Sequence, residues 1–160
     1  MITFDPSTWP GGDLIWTVCQ AIASAEGANV PGAPPDRYNN PGDLSKGDEH
    51  GQPVSGYVTL PDGEILIVFA SKEGGWQALR EKITNIVNGT SSTYSPLMTW
   101  SQIAKKYAGN SAAWVANVTG FLGVSPNDVF ANYFAGGGGS GAAAPGLPRS
   151  KPGPSSKRNC

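Results

Sequence analysis

The stretch AIASAEGANVPGAPPDRYNNPGDL, residues 21–44, decides how this chain is read. An apolar helical run ends in a single carboxylate, Glu26, and Gly27 stops it. A proline-rich segment follows and leads into Asn39-Asn40-Pro41-Gly42. Working backward, Ile15, Cys19, Ile22 and Glu26 fall on one face of a helix. Asp13 has the chemistry of its N-cap, and Gly27 that of the residue just past its C-terminus.

Working forward, residues 28–53 hold five Pro and four Gly and read as an ordered or semi-ordered loop. Residues 54–70 read as a hairpin, VSGYVTL and EILIVFA joined by Pro61-Asp62-Gly63. A second helix is predicted over Lys72–Asn88, with Trp76, Leu79, Ile83 and Ile86 on one face. Thr99 with Gln102 forms a capping-box pattern that opens a third helix, its stripe Trp100, Ile103, Ala104 and Tyr107. A fourth runs from about Ser111 to Leu122 on Trp114, Val118 and Phe121. Ser125-Pro126 has the form of an N-cap and N1 pair opening a last short helix. No internal repeat is evident. The fold class expected is α+β, mostly α, a helical domain with a small β hairpin.

Charged residues make up 14% of the chain, against about 25% in typical domains. The net charge of −1 calls for neither nucleic acid nor an acidic membrane surface. The charge is nonetheless uneven: residues 136–160 carry Arg149, Lys151, Lys157 and Arg158 and no acid. That segment is rich in Gly and Pro, has one large aliphatic residue, Leu147, and has no aromatic. It cannot bury enough surface to offset its ordering entropy. The expected organisation is a folded domain over 1–135 and a disordered basic tail over 136–160. No basic stretch followed by an apolar one opens the chain, so no secretory signal is expected. No apolar run reaches 18 residues, so no integral membrane segment is expected either. Two cysteines, Cys19 and Cys160, make no disulfide framework.

Glu26 is where the sequence points to chemistry. A carboxylate at the end of an apolar stripe is partly desolvated, and the helix C-terminus beside it disfavours its ionised form. A carboxylic acid that keeps its proton near neutral pH suits general-acid attack on an acetal. A Glu in a last helical turn is, however, more often a solvated residue or a local acceptor.

Further motifs sharpen the choice. The Ala-Glu-Gly of residues 25–27, NVPG, NNPGDL, SKEGGWQALREKI, MTWSQIAKKYAGN, Trp114 and GVSPNDVF follow in that order. Together, over about residues 13–134, they resemble the small lysozyme-like domains of phage and bacterial lytic transglycosylases. The resemblance implies a lysozyme-like helical lobe, a peptidoglycan substrate and Glu26 as catalytic acid. It places Asn39 and Asn40 in the cleft beside Glu26 and gives Tyr107 a role in holding the sugar. With no secretory signal expected, a phage setting fits best as the route to the wall: a virion, or the host cytoplasm before release to the periplasm, with virion proteins as partners through the tail. No cofactor and no metal are expected. This chain departs from the pattern at Asp43, where the family carries Asn, and at Tyr38.

Alternatives stay open on the residues alone. A two-carboxylate glycosidase would take its second acid from Asp36, Asp43, Glu64 or Glu73; the one-acid route needs none of them. Cys19 with His50 would suit a cysteine peptidase, but a Cys on an apolar stripe usually behaves as a small hydrophobe. One His and no Cys cluster argue against zinc. Tyr57, on the hairpin, is the cleft aromatic expected; Trp76, Trp100 and Trp114 lie at helical spacing and read as core. The rival of a different class is a non-catalytic virion or wall-binding protein that keeps the fold.

Overall fold

The computed structural model describes residues 13–109 and 111–135. The predicted tail, 136–160, lies outside them. The fold class is α+β: among the described residues, six helices and one two-stranded antiparallel sheet. The chain divides into two compact units, one through Asn85 and one from Ile86.

The first unit opens with α1, Leu14–Glu26. Asp13 caps it by accepting the Trp16 N–H, and its other neighbour is Arg80, 3.2 Å away. Gly27 ends the helix at φ 90°, where its N–H reaches the carbonyls of Ala23 and Ser24. Val18, Cys19 and Ile22 are buried. The proline-rich loop is more regular than its composition suggests. Pro34 starts a one-turn helix, α2, Pro34–Arg37, because its missing N–H and fixed φ suit a first helical position. Asp36 takes the Gly32 N–H and the Lys72 ammonium, at 2.9 and 3.0 Å, and both hold its carboxyl below the usual range.

Strands β1, Val54–Thr59, and β2, Ile65–Phe69, pair with Tyr57 opposite Ile67, and a register shift interrupts them between Val54 and Gly56. Helix α3, Lys72–Asn88, follows at once. Ser71 caps it by accepting the Gly74 N–H, and Trp76, Leu79, Ile83 and Ile86 are buried as their spacing predicts.

The second unit holds α4, Trp100–Ala108, α5, Ala112–Leu122, and α6, Phe130–Ala135. Thr99 and Gln102 form the predicted capping box, and Ser111 caps α5 on the Trp114 N–H. Two predictions fail here. Phe121 is 51% exposed, because the buried side of α5 runs from Trp114 to Val118 and Thr119 and on toward Leu122, leaving Phe121 outside it. And α6 begins at Phe130, not at Ser125. Residues 125–128 close a turn in which Ser125 and Asp128 exchange bonds.

That turn is half of a short repeat the sequence hides. Ser95-Pro96-Leu97-Met98-Thr99-Trp100 and Ser125-Pro126-Asn127-Asp128-Val129-Phe130 fold alike and pair through an antiparallel bridge at Thr99 and Val129. Trp100 N–H donates to Asp128 O and Phe130 N–H to Met98 O; Ser101 N–H donates to Pro126 O and Ala131 N–H to Pro96 O. Each half thus satisfies donors at the helix start of the other. The rings of Trp100 and Phe130 meet at 4.9 Å behind the bridge.

Candidate active site

Glu26 occupies the last turn of α1, half-buried, with the Gly27 stop directly after it. Asn39, Asn40 and Tyr57 lie in the same unit; Tyr107 lies in the other. The Asn39–Gly42 turn is held as a rigid piece. Asn40 is fully buried. Its Nδ2 donates to Leu44 O and Ile67 O, both at 2.9 Å, and its Oδ1 accepts the Leu44 N–H at 2.7 Å. Both amide hydrogens are used on backbone, so this side chain splices the turn to β2. Asn39 Nδ2 donates to Phe69 O at 3.1 Å, and the Tyr38 carbonyl accepts the Phe69 N–H. Asn39 is only half-buried, and it retains Oδ1 and a second amide hydrogen. Of the two amides, it is the one with groups left for a ligand.

The left-handed positions of the turn are Asn39 and Asp43, each at φ 53°, and not its glycine, Gly42. Asn and Asp tolerate this conformation because their short side chains bond locally. A further constraint comes from α3. A Cβ built on Gly75 would lie 1.8 Å from Asn39 O and 2.9 Å from Pro41 Cδ. The helix therefore touches the turn backbone-to-backbone. The Gly-Gly of EGGW is the signal that could have located this contact.

Removal of Asn40 tests the splice. Asn40→Ala leaves the buried Leu44 N–H and the Ile67 carbonyl without their Asn40 partners, while the Leu44 carbonyl keeps the Ile67 N–H. Each such group costs about 1–3 kcal/mol, so a loss of about 3 kcal/mol is expected in urea unfolding at neutral pH. A change under about 0.5 kcal/mol would show that the turn holds itself without this side chain.

The other acids are placed as follows. Asp43 is half-buried, and burial together with the Glu64 charge raises its carboxyl to about 6. Glu64 accepts the Ser45 hydroxyl. Asp36 is engaged by Gly32 and Lys72, and Glu73 lies in the first turn of α3. Tyr57 is 45% exposed; its hydroxyl donates to Glu49 at 2.9 Å, which raises its pKa, and Lys46 sits 5.1 Å from its ring centre. The ring is braced on one face and presents the rest to solvent, as a sugar platform requires. Tyr107, half-buried on α4, stacks on Trp114 with ring centres 5.0 Å apart. Cys19 is fully buried, and burial pushes its thiol far above the ordinary range. That environment opposes the thiolate a cysteine peptidase needs. Among the described residues, no three His, Cys, Asp or Glu side chains gather as metal ligands would, and no helix is long and apolar enough to cross a membrane.

No family model, curated protein or solved structure matches this chain.

Proposed function

We propose that the chain is a lysozyme-like lytic transglycosylase that cleaves peptidoglycan between N-acetylmuramic acid and N-acetylglucosamine, with Glu26 as its acid and base. The observation that carries this reading is the placement of Glu26: half-buried, in the last turn of an apolar helix that Gly27 ends in left-handed backbone. An ordered turn, rather than a floppy loop, follows in the same unit, with Asn39 offering amide groups not used by the backbone.

In this reaction Glu26 protonates the glycosidic oxygen as the bond to the muramic C1 breaks. The carboxylate so formed then takes the proton of that sugar's C6 hydroxyl, whose oxygen closes on C1 as a 1,6-anhydro ring. The acid is regenerated and no water is consumed. Asn39 and Tyr57 contact the glycan. Virion proteins are the partners proposed for the basic tail.

Mass spectrometry of muropeptides released from purified sacculi tests the chemistry. Anhydro-muramic ends are expected. Reducing muramic ends would move the assignment to a hydrolase with a second carboxylate, and the Asp43–Glu64 neighbourhood would be the place to look for it. Sacculi that bind the protein and release nothing would favour the wall-binding rival.

A further inference from the structure

The segment between α2 and β1 adds a short rung to the sheet, on the edge of β2 that β1 leaves free. Ser45 bridges Leu66, the Lys46 N–H donates to Ile65 O, and the Ile67 N–H donates to Leu44 O. Residues directly opposite each other in such pairs share a face. Tyr57 stands opposite Ile67, and Lys46, one past the Ser45–Leu66 bridge, stands opposite Ile65. Ile65 and Ile67 are two apart, so Lys46 and Tyr57 lie on one face with β2 between them. Lys46 crosses that strand, and its Nζ sits 5.1 Å from the Tyr57 ring centre.

The turn after the rung completes the group. Glu49 accepts the Gly47 N–H on Oε1 at 3.0 Å and the Tyr57 hydroxyl on Oε2 at 2.9 Å. Tyr57 and Lys46 are both exposed. A solvated ring is therefore held at its hydroxyl and over a face. Fixing such a side chain costs rotamer freedom and buries little; it is the pre-organisation a binding surface uses. Lys46 is also a cation without an anion. The ion pairs among the described residues use Lys72, Arg80, Lys82 and His50, and not Lys46.

We infer that Lys46 sets the specificity of a subsite built on Tyr57: its ammonium takes a carboxylate carried on the lactyl arm of N-acetylmuramic acid while the sugar ring beside that arm stacks on the phenol. The attraction of a solvated ammonium to a phenol ring is weak, so the ammonium leaves the ring for the stronger, charge-assisted bond to a carboxylate. The C–H face of the sugar takes the negative ring face in its place. Glu49 keeps its hold on the hydroxyl. A neutral N-acetylglucosamine unit offers the ring a sugar but gives the ammonium no anion, so the subsite prefers muramic units.

The acids nearby narrow the selection. Glu49 is spent on Gly47 and Tyr57, Glu64 accepts the Ser45 hydroxyl, and Asp62 accepts the Glu64 N–H. Their charge keeps the region from drawing anions at a distance, so an anion gains there only in contact with Lys46. The inference rests on the peptidoglycan reading for its ligand, and not on the role of Glu26.

Two disaccharides that differ only in the lactyl group test it. N-acetylglucosaminyl-N-acetylmuramic acid carries the free lactyl carboxylate, and N,N′-diacetylchitobiose lacks the arm. Neither contains the bond that the proposed reaction cleaves, so the wild-type full chain can be titrated by NMR without turnover. At about 20 mM salt, where screening is weak, the muramic disaccharide should bind about tenfold tighter, the effect of one charge-assisted contact. Lys46→Gln should remove that preference and leave chitobiose binding no weaker; Lys46→Arg should retain it. Tyr57→Ala should weaken both ligands. Lys46 is exposed and gives the sheet only its backbone N–H, so its variants should fold. The same disaccharide with the lactyl group amide-linked to a stem peptide separates the sources of the carboxylate. A preference that passes to it assigns the anion to the stem, and one that is lost assigns it to the free lactyl group. Equal binding of chitobiose and both muramic forms by the wild type, a preference that survives Lys46→Gln, or no binding of any of the three overturns the inference. A missing preference in a chain that still releases anhydro-muramic ends removes the subsite alone. A Lys46-dependent preference in a chain that releases nothing from sacculi removes the catalytic reading alone.

Discussion

Glu26→Gln is expected to lower glycan cleavage by two to four orders of magnitude while leaving the fold in place. Gln matches Glu in size and can sit in the same half-buried last turn of α1, so the helix and its Gly27 stop need not change. What it lacks is a transferable proton and, afterwards, a carboxylate to receive one. Both halves of the transglycosylation fail together. A general acid–base group ordinarily contributes about 10²–10⁴-fold, and here one group serves twice, so the upper part of that range is expected. Turbidity loss of permeabilised cells gives the rate, and thermal unfolding checks the fold. Near-normal lysis by Glu26→Gln would sink the assignment. Asp43→Asn separates the one-acid from the two-acid route. It should leave the anhydro product unchanged, whereas a loss matching that of Glu26→Gln would make Asp43 a partner in the reaction.

The helix starts were readable because their chemistry is local. Asp13, Thr99 with Gln102, and Ser111 each accept an N–H from within the next three residues, and Gly27 satisfies carbonyls just behind it. Side chain and partner are neighbours in sequence, so residue type and spacing suffice. The start of α6 was not readable for the opposite reason. The N–H groups of Phe130 and Ala131 go to Met98 and Pro96, in a turn of similar sequence far upstream. Ser125-Pro126 has the composition of a helix start but is used to build that paired turn.

The same division runs through the candidate site. Glu26 stands in the last turn, where apolar spacing and the following glycine put it. Asn39 and Asn40 were recognisable as turn residues, but nothing in two adjacent asparagines says which faces the sheet. The structure uses Asn40 on Ile67 and Leu44 and leaves Asn39 the freer amide, a distinction made by β2, more than twenty residues later. The raised pKa of Asp43 likewise depends on burial and on Glu64, a residue well downstream in the sequence.

Gly75→Ala is expected to cost about 3–5 kcal/mol of stability, in the range of severe overpacking. The position is helical, at ordinary negative φ, so propensity alone would favour Ala by about 1 kcal/mol. The contact decides against it. The new Cβ would fall 1.8 Å from Asn39 O, with Asn39 C and Pro41 Cδ at 2.9 Å. Real carbon–oxygen contacts do not approach that closely, and the obstructing atoms are backbone and a proline ring, which cannot rotate away. Either α3 or the turn must move by more than an ångström. The turn is fixed by Asn40 to Leu44 and Ile67 and by Asn39 to Phe69, so displacing it breaks buried bonds as well. Gly74→Ala is the control one residue earlier. Its Cβ would meet the Ser71 hydroxyl at 3.3 Å and the Gln52 side chain at 3.6 Å, and these groups can shift. Gly120→Ala, with open space around it in α5, should gain about 0.5–1 kcal/mol. Urea unfolding of the three variants should rank Gly120→Ala above Gly74→Ala and leave Gly75→Ala far below both. If Gly75→Ala is as stable as Gly74→Ala, α3 and the Asn39–Gly42 turn do not touch, and the rigid frame of that turn is gone.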